Sequence, residues 1–188
     1  MEQWVLDGRK FLSDEEIRRL KKVCLRERER IIINLGLLAG LRVKEVANLK
    51  WSDISLETEP ASLTVRNGKG GKTRLVRFNG ELKESIMEYL KHKTVNPDDP
   101  LLKSNNGEHI SRRTVQRVFE RVARRAGING HSFHHLRHTY ASHLYRASGY
   151  NLRLVQKQLG HSSIKTTQVY ADVFDDDLTK AVEKLYKC

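Results

Sequence analysis

The sequence predicts an α+β fold, mainly helical, with one small three-stranded antiparallel sheet. Three observations carry this. Apolar residues recur at helical spacing behind capping residues through most of the chain. Residues 54–78 alone switch to short runs joined by a glycine-rich turn. No composition shift marks a linker, and 188 residues suffice for one domain with a real core but not for two comfortable ones.

The first helix is announced by Ser13 with Glu16 three residues on, a capping box, and Leu12 with Ile17 closes a hydrophobic staple. It runs through Leu20 toward Cys24. Residues 31–39 are apolar almost throughout and predict a second, buried helix, with Gly40 as its C-cap and a short third helix over 43–49. Strands are expected at 54–56, 63–65 and 74–78, with Asn67-Gly68-Lys69-Gly70-Gly71-Lys72 as the hairpin loop between the last two. Helix resumes at 81–93, and Asn96-Pro97-Asp98-Asp99-Pro100 then breaks the chain. Helices follow over 111–126, 134–147, Leu152–Leu159 and 164–169, with an amphipathic tail at 178–186.

Composition narrows the function classes. The longest apolar run, residues 31–41, includes Asn34 and is too short to cross a bilayer. Met1 is followed by Glu2 and no apolar stretch, so no secretory signal is read. Two cysteines, Cys24 and Cys188, support neither a disulfide framework nor a four-cysteine zinc site, and a reducing compartment is the simpler expectation. The formal net charge is +12. Residues 101–170 concentrate it, with twelve Lys and Arg against only Glu108 and Glu120, whereas the last eighteen residues carry Asp172 and Asp175-Asp176-Asp177. A solvated helix face normally interleaves both signs; a concentrated basic region points to a polyanion, most often nucleic acid.

Two motif matches fail on inspection. Gly71-Lys72-Thr73 ends like a phosphate-binding loop, but the required leading glycine falls on Arg66. His131, His134, His135 and His138 have helical spacings, yet no cysteine or nearby carboxylate joins them as a zinc site. A third pattern survives. His134-x-x-Arg137-His138 opens a helix and places a permanent cation beside a switchable donor within one turn. Such a pair suits a phosphodiester, whose non-bridging oxygens need donors as charge builds in a pentacoordinate transition state. Arg42 supplies a second guanidinium beyond the Gly40 cap, and Glu45 lies three residues on, placed to orient it. Lys69, at the tip of the hairpin, is a candidate general acid if neighbouring arginines lower its pKa. On residue chemistry alone, a basic helical nucleic-acid binder and a phosphotransferase both stay open.

The joint pattern resembles a known family. Gly40-Leu41-Arg42-Val43-Lys44-Glu45, Gly68-Lys69-Gly70, His134-His135-Leu136-Arg137-His138, Leu159-Gly160-His161 and Tyr170 occur in one order. In order and spacing they are similar to the catalytic domain of the tyrosine recombinases, the phage-integrase family, over nearly the whole chain. The resemblance implies that Arg42 and Arg137 grip the scissile phosphate and that Lys69 protonates the leaving 5′ oxygen. His134 would hydrogen-bond the phosphate and assist proton transfer at the nucleophile, His161 would donate to a non-bridging oxygen, and Tyr170 would be the nucleophile. Glu45 matches the acidic residue that supports this site from behind, and His138 is assigned to packing or support. Among six tyrosines, only Tyr170 has the nine-residue offset from His161; Tyr140, Tyr145 and Tyr150 are assigned to packing.

The implied reaction cleaves DNA through a 3′-phosphotyrosyl link and rejoins it to another strand, with no cofactor, no metal and no nucleotide. The implied partner is double-stranded DNA, with self-association as a dimer or tetramer on it. No membrane partner is expected, and the implied place is the cytoplasm of a prokaryote or a virus-infected cell, at the nucleoid. Family members usually carry an additional N-terminal helical domain, for which the residues before Phe11 leave no room; residues 1–188 are therefore expected to be the catalytic domain without it, either as a fragment or as a short single-domain recombinase. In the tail, Leu178, Val182 and Leu185 either dock on a neighbouring subunit or fold back on their own domain. A type IB topoisomerase-like nicking and rejoining enzyme, and a non-catalytic DNA-binding protein on the same scaffold, are the competing expectations.

Overall fold

In the computed structural model, α2 (Glu27–Leu38) runs through the centre, and its sequence explains why. Ile31, Ile32, Ile33, Asn34, Leu35, Gly36 and Leu37 are all buried, and a helix apolar on every side must be enclosed on every side. The structure describes residues 11–66, 73–91 and 93–160. Around α2 pack α4 (Gly80–Leu90), α5 (Arg112–Arg125) and α6 (Phe133–Ala147). Gly36 sets the closeness of α6: a Cβ there would stand 2.8 Å from Cζ of Phe133 and 2.9 Å from Cδ1 of Leu136. The buried Asn34 is satisfied by the Ser85 hydroxyl of α4 at 2.7 Å.

The helix starts follow local chemistry. α1 (Asp14–Lys22) carries the expected capping box, with Ser13 and Glu16 bonded to each other's backbone N–H. Ser111 caps α5 through the Thr114 N–H, and Asn151 caps α7 (Leu152–Leu159) through the Leu154 N–H. α5 is strongly amphipathic. It buries Val115, Val118, Phe119 and Val122 and leaves Arg112, Arg113, Arg117, Arg121 and Arg124 exposed.

A 3₁₀ turn over Trp51–Asp53 leads into the sheet. Its strands, β1 (Ile54–Ser55), β2 (Ser62–Val65) and β3 (Arg74–Arg77), lie antiparallel in sequence order. Leu63 pairs with Val76, and both are buried. β3 and α6 both contact α7. A satellite core of Ala141, Tyr145, Val155 and Leu159 with Phe11, Tyr140, Leu144 and Leu152 holds α7 against α6.

The α+β class and the three-stranded sheet match the expectation, while some ends differ. α2 begins at Glu27, four residues before the apolar run, because its polar first turn contributes an ion pair between a buried carboxylate and a partly exposed guanidinium. Glu29, 3% exposed, meets Arg125 of α5 at 2.5 Å. α4 stops at Leu90 rather than 93, where the N–H groups of Lys91 and Lys93 turn back to the Glu88 and Leu90 carbonyls. The expected hairpin loop at 67–72, helix at 164–169 and tail at 178–186 lie outside the described residues.

Candidate active site

Two helices end in left-handed glycines that face the same point. Gly40 follows α2 with φ +63° and Gly160 follows α7 with φ +66°, a conformation in which glycine alone avoids a steric penalty. A Cβ on Gly40 would stand 2.4 Å from Cδ1 of the Tyr140 ring. Helix C-termini expose unsatisfied carbonyls and partial negative charge. Arg137, 1% exposed in the second turn of α6, answers both: it donates to the Gly40 carbonyl and, from Nη2, to the Leu159 carbonyl at 2.8 Å. One guanidinium thus ties α2, α6 and α7 together.

Beside it stands Glu45, on α3 (Val43–Asn48), with its side chain 8% exposed. Its Oε2 accepts from the Arg42 backbone N–H at 2.8 Å and from Arg74 Nη2 at 2.9 Å. Its Oε1 accepts from Arg42 Nη1 at 2.9 Å and from Arg74 Nη1 at 2.8 Å. Arg137 Nη1 lies 3.9 Å from Oε2. Burial pushes the Glu45 carboxyl up, but the Arg74 guanidinium, the Arg42 N–H and the Arg137 charge outweigh it and hold the pKa at about 2. Three guanidiniums around one ionised carboxylate leave this spot with a local excess of two positive charges, a composition suited to an anion.

His134, in the first turn of α6, completes the group. The protein packed about its ring, then the charges of Arg137, His135 and Arg42, lower its pKa below the ordinary 6.5, so the ring is neutral at pH 7 and able to accept a proton. Its ring meets that of His138 edge-on, centroids 4.4 Å apart, and His138 in turn meets Phe11 at 6.2 Å. His135 caps α6, its Nδ1 accepting from the Ser132 N–H at 2.8 Å. Among the described residues no group of three or more His, Cys, Asp or Glu is placed to hold a metal ion, and no helix is long and apolar enough to cross a membrane.

The structure therefore brings together Arg42, Glu45, His134 and Arg137, with His138 behind His134. Lys69, His161 and Tyr170 lie outside the described residues. Sequence reasoning missed Arg74 and Gln158. Arg74 sits in a short strand where nothing in its neighbours distinguishes it from a solvated charge, and it reaches Glu45 across 29 positions. Gln158 reads as one more polar residue of an amphipathic helix, yet its amide donates to the Arg77 carbonyl at 2.6 Å and to the Tyr140 hydroxyl at 2.9 Å.

The sequence matches the model of the phage integrase family over residues 10–177. The chain belongs to that family. It is 39% identical over 181 residues to tyrosine recombinase XerA of Pyrococcus furiosus, which covers 93% of this chain and 61% of that protein. It is 37% identical over 182 residues to tyrosine recombinase XerC of Caldanaerobacter subterraneus, covering 93% of this chain and 50% of that protein. Among solved structures, that of XerA recombinase superposes with a TM-score of 0.78 at 31% identity, over 95% of this chain and 66% of that one. XerH site-specific recombinase, solved bound to palindromic difH substrate in a post-cleavage complex, gives 0.77 at 26% identity, over 94% and 53%. The chain thus spans less than two thirds of the length of these relatives, and it has the mainly helical fold of their catalytic domains.

Proposed function

We propose that this chain is the catalytic domain of a site-specific DNA recombinase or integrase that cleaves and rejoins strands through a 3′-phosphotyrosyl intermediate. The convergence of Arg42, Arg137 and neutral His134 on one electropositive spot, held by Glu45, carries this reading. In it, the Tyr170 oxygen attacks the phosphorus in line and the bond from phosphorus to the 5′ oxygen breaks. Lys69 delivers a proton to that oxygen, and His134 assists removal of the tyrosine proton. Arg42, Arg137 and His161 donate to the non-bridging oxygens as charge builds there. A 5′ hydroxyl of another strand then reverses the step. The phosphoester is conserved in the tyrosyl link, so neither a nucleotide nor another cofactor is required. Glu45 and His138 act as positioning residues.

The partner in this reading is double-stranded DNA, met by the exposed arginines of α5, with two or four copies assembling on it in the cytoplasm, at the nucleoid, of a prokaryote or virus-infected cell. The named relatives are recombinases, which favours strand exchange over simple relaxation. The test is a nicked duplex, drawn from a randomised pool by retention on the chain, that traps cleavage as a covalent adduct. The expected result is an adduct that disappears in Tyr170→Phe. An adduct that survives the change would remove Tyr170 from its role.

A further inference from the structure

Glu45 is saturated. An ionised carboxylate offers about four lone-pair sites, and the Arg42 N–H, Arg42 Nη1, Arg74 Nη1 and Arg74 Nη2 occupy four, all at 2.8–2.9 Å. Arg137 Nη1 stands next in line at 3.9 Å, close enough for attraction and too far for a hydrogen bond. Arg74 supplies half of the occupying donors.

Arg74 is itself held in a slot. Its Nε–H donates to the Gln158 carbonyl of α7 at 3.2 Å, and its side chain is 11% exposed. The slot exists because residue 160 is glycine: a Cβ there would stand 2.5 Å from Cδ of Arg74. Gln158 is anchored in turn to β3 through the Arg77 carbonyl. The fork-shaped guanidinium therefore reaches Glu45 along one direction, matching both carboxylate oxygens at once.

We infer that Arg74 is a positioning residue that keeps Glu45 from capturing Arg137, so that Arg137 can act on the scissile phosphate; this rests on the DNA-cleavage reading above. Without Arg74, two acceptor sites open on Glu45, one of them on the Oε2 that lies 3.9 Å from Arg137 Nη1. A shift of about 1 Å would close a charge-assisted hydrogen bond between them. The captured guanidinium is then turned toward the carboxylate, and with Arg74 gone the local excess is one positive charge rather than two.

The test compares R74M, E45Q/R74M, wild type and Tyr170→Phe on the same nicked duplexes selected for retention by the chain. In R74M, adduct formation should fall by about 100-fold, the scale of losing one oriented donor, while retention of the duplex changes little because many phosphate contacts share it. In E45Q/R74M, which removes the capturing charge, adduct formation should recover by about tenfold over R74M. A merely structural role for Arg74 predicts the opposite, since an uncharged amide in place of the carboxylate loosens the cluster further. Wild-type cleavage by R74M, or a double variant no better than R74M, overturns the inference.

A crystal structure of R74M gives a readout independent of cleavage. Arg137 should lie within hydrogen-bond distance of Glu45, and an unchanged 3.9 Å separation overturns the capture. If wild type yields no Tyr170-dependent adduct, the cleavage reading fails, and this structure still decides whether capture occurs. Should R74M not fold, R74K decides instead: an ammonium cannot serve both oxygens as a fork. Cleavage should then fall in R74K and recover in E45Q/R74K, and unimpaired cleavage by R74K overturns the inference.

Discussion

Arg74 of β3 and Glu45 of α3 meet in a two-pronged ion pair, Nη1 to Oε1 at 2.8 Å and Nη2 to Oε2 at 2.9 Å. Both side chains are nearly buried, at 11% and 8% exposure. Charges withdrawn from water in this way are tolerated only when each is answered by hydrogen bonds. Here Glu45 answers Arg74 and Arg42 directly and Arg137 through space, so it is the hub on which three cations depend.

Replacing Glu45 with alanine should accordingly cost about 3 kcal/mol or more of stability, because it strands buried guanidiniums. Thermal melting checks this, and a melting point within about a degree of wild type would show the cluster to be stable without its anion. A pH effect follows from the same group. Its pKa falls from 4.5 in the unfolded chain to about 2 in the folded one. The unfolded state therefore binds the proton first on acidification. The contribution of about 3 kcal/mol is complete above pH 4.5 and is lost as pH falls toward 2. Urea melts across this window should lose less stability in Glu45→Gln than in wild type.

His134 titrates in the same sense at higher pH. Its folded pKa lies below 6.5, because of burial first and then Arg137, His135 and Arg42. The neighbouring His138 ring packs against it. Acidification below pH 6.5 thus protonates the unfolded chain before the folded one, and stability declines on that side. Cleavage should fall on the same limb as the ring loses its capacity to accept a proton. A rate that rises as pH drops from about 7 to about 5 would contradict the neutral-ring assignment.

Arg137→Ala has two expected effects that separate in measurement. The Gly40 and Leu159 carbonyls lose their donor, at a cost of about 2–4 kcal/mol for two buried acceptors. Cleavage is abolished, whereas retention of the duplex at a temperature well below melting changes little. A large loss of retention by folded protein would make Arg137 chiefly an affinity residue.

Gly40→Ala should destabilise by about 2 kcal/mol or more, combining left-handed backbone strain with the collision against Tyr140. Calorimetry would then show melting lowered by about 5 °C. An unchanged melting temperature would mean that Tyr140 moves aside and that α2 tolerates a different ending.

DNA retention should weaken steeply with salt, as expected when several arginines of α5 displace counterions. Titrations at a series of salt concentrations test this. A shallow slope would remove the exposed face of α5 from the interface.

Local signals make most elements legible. The Ser13–Glu16 capping box, the continuous apolar run of α2 and the short strands around 54–78 are short-range consequences of backbone chemistry. One misplaced end traces to a long-range partner: α2 extends back to Glu27, where Glu29 finds Arg125 on another helix. Arg42, Glu45, His134 and Arg137 are visible as candidates because their types and spacing form an ordered pattern. Arg74 and Gln158 are not, since each has an ordinary polar role in its own element and acquires its meaning only from a partner far along the chain.

The fold class, the basic character and the order of the candidate residues are legible along the chain, because periodicity, capping and charge are properties of neighbouring residues. The wiring of the cluster emerges with packing. Packing placed two glycine-ended helices and Glu45 around Arg137, and it filled the carboxylate with Arg74 of β3 and with Arg42, leaving Arg137 at 3.9 Å. Hydrogen-bond saturation and burial depend on which groups lie within a few ångströms of one another, and that proximity arises only when distant segments pack.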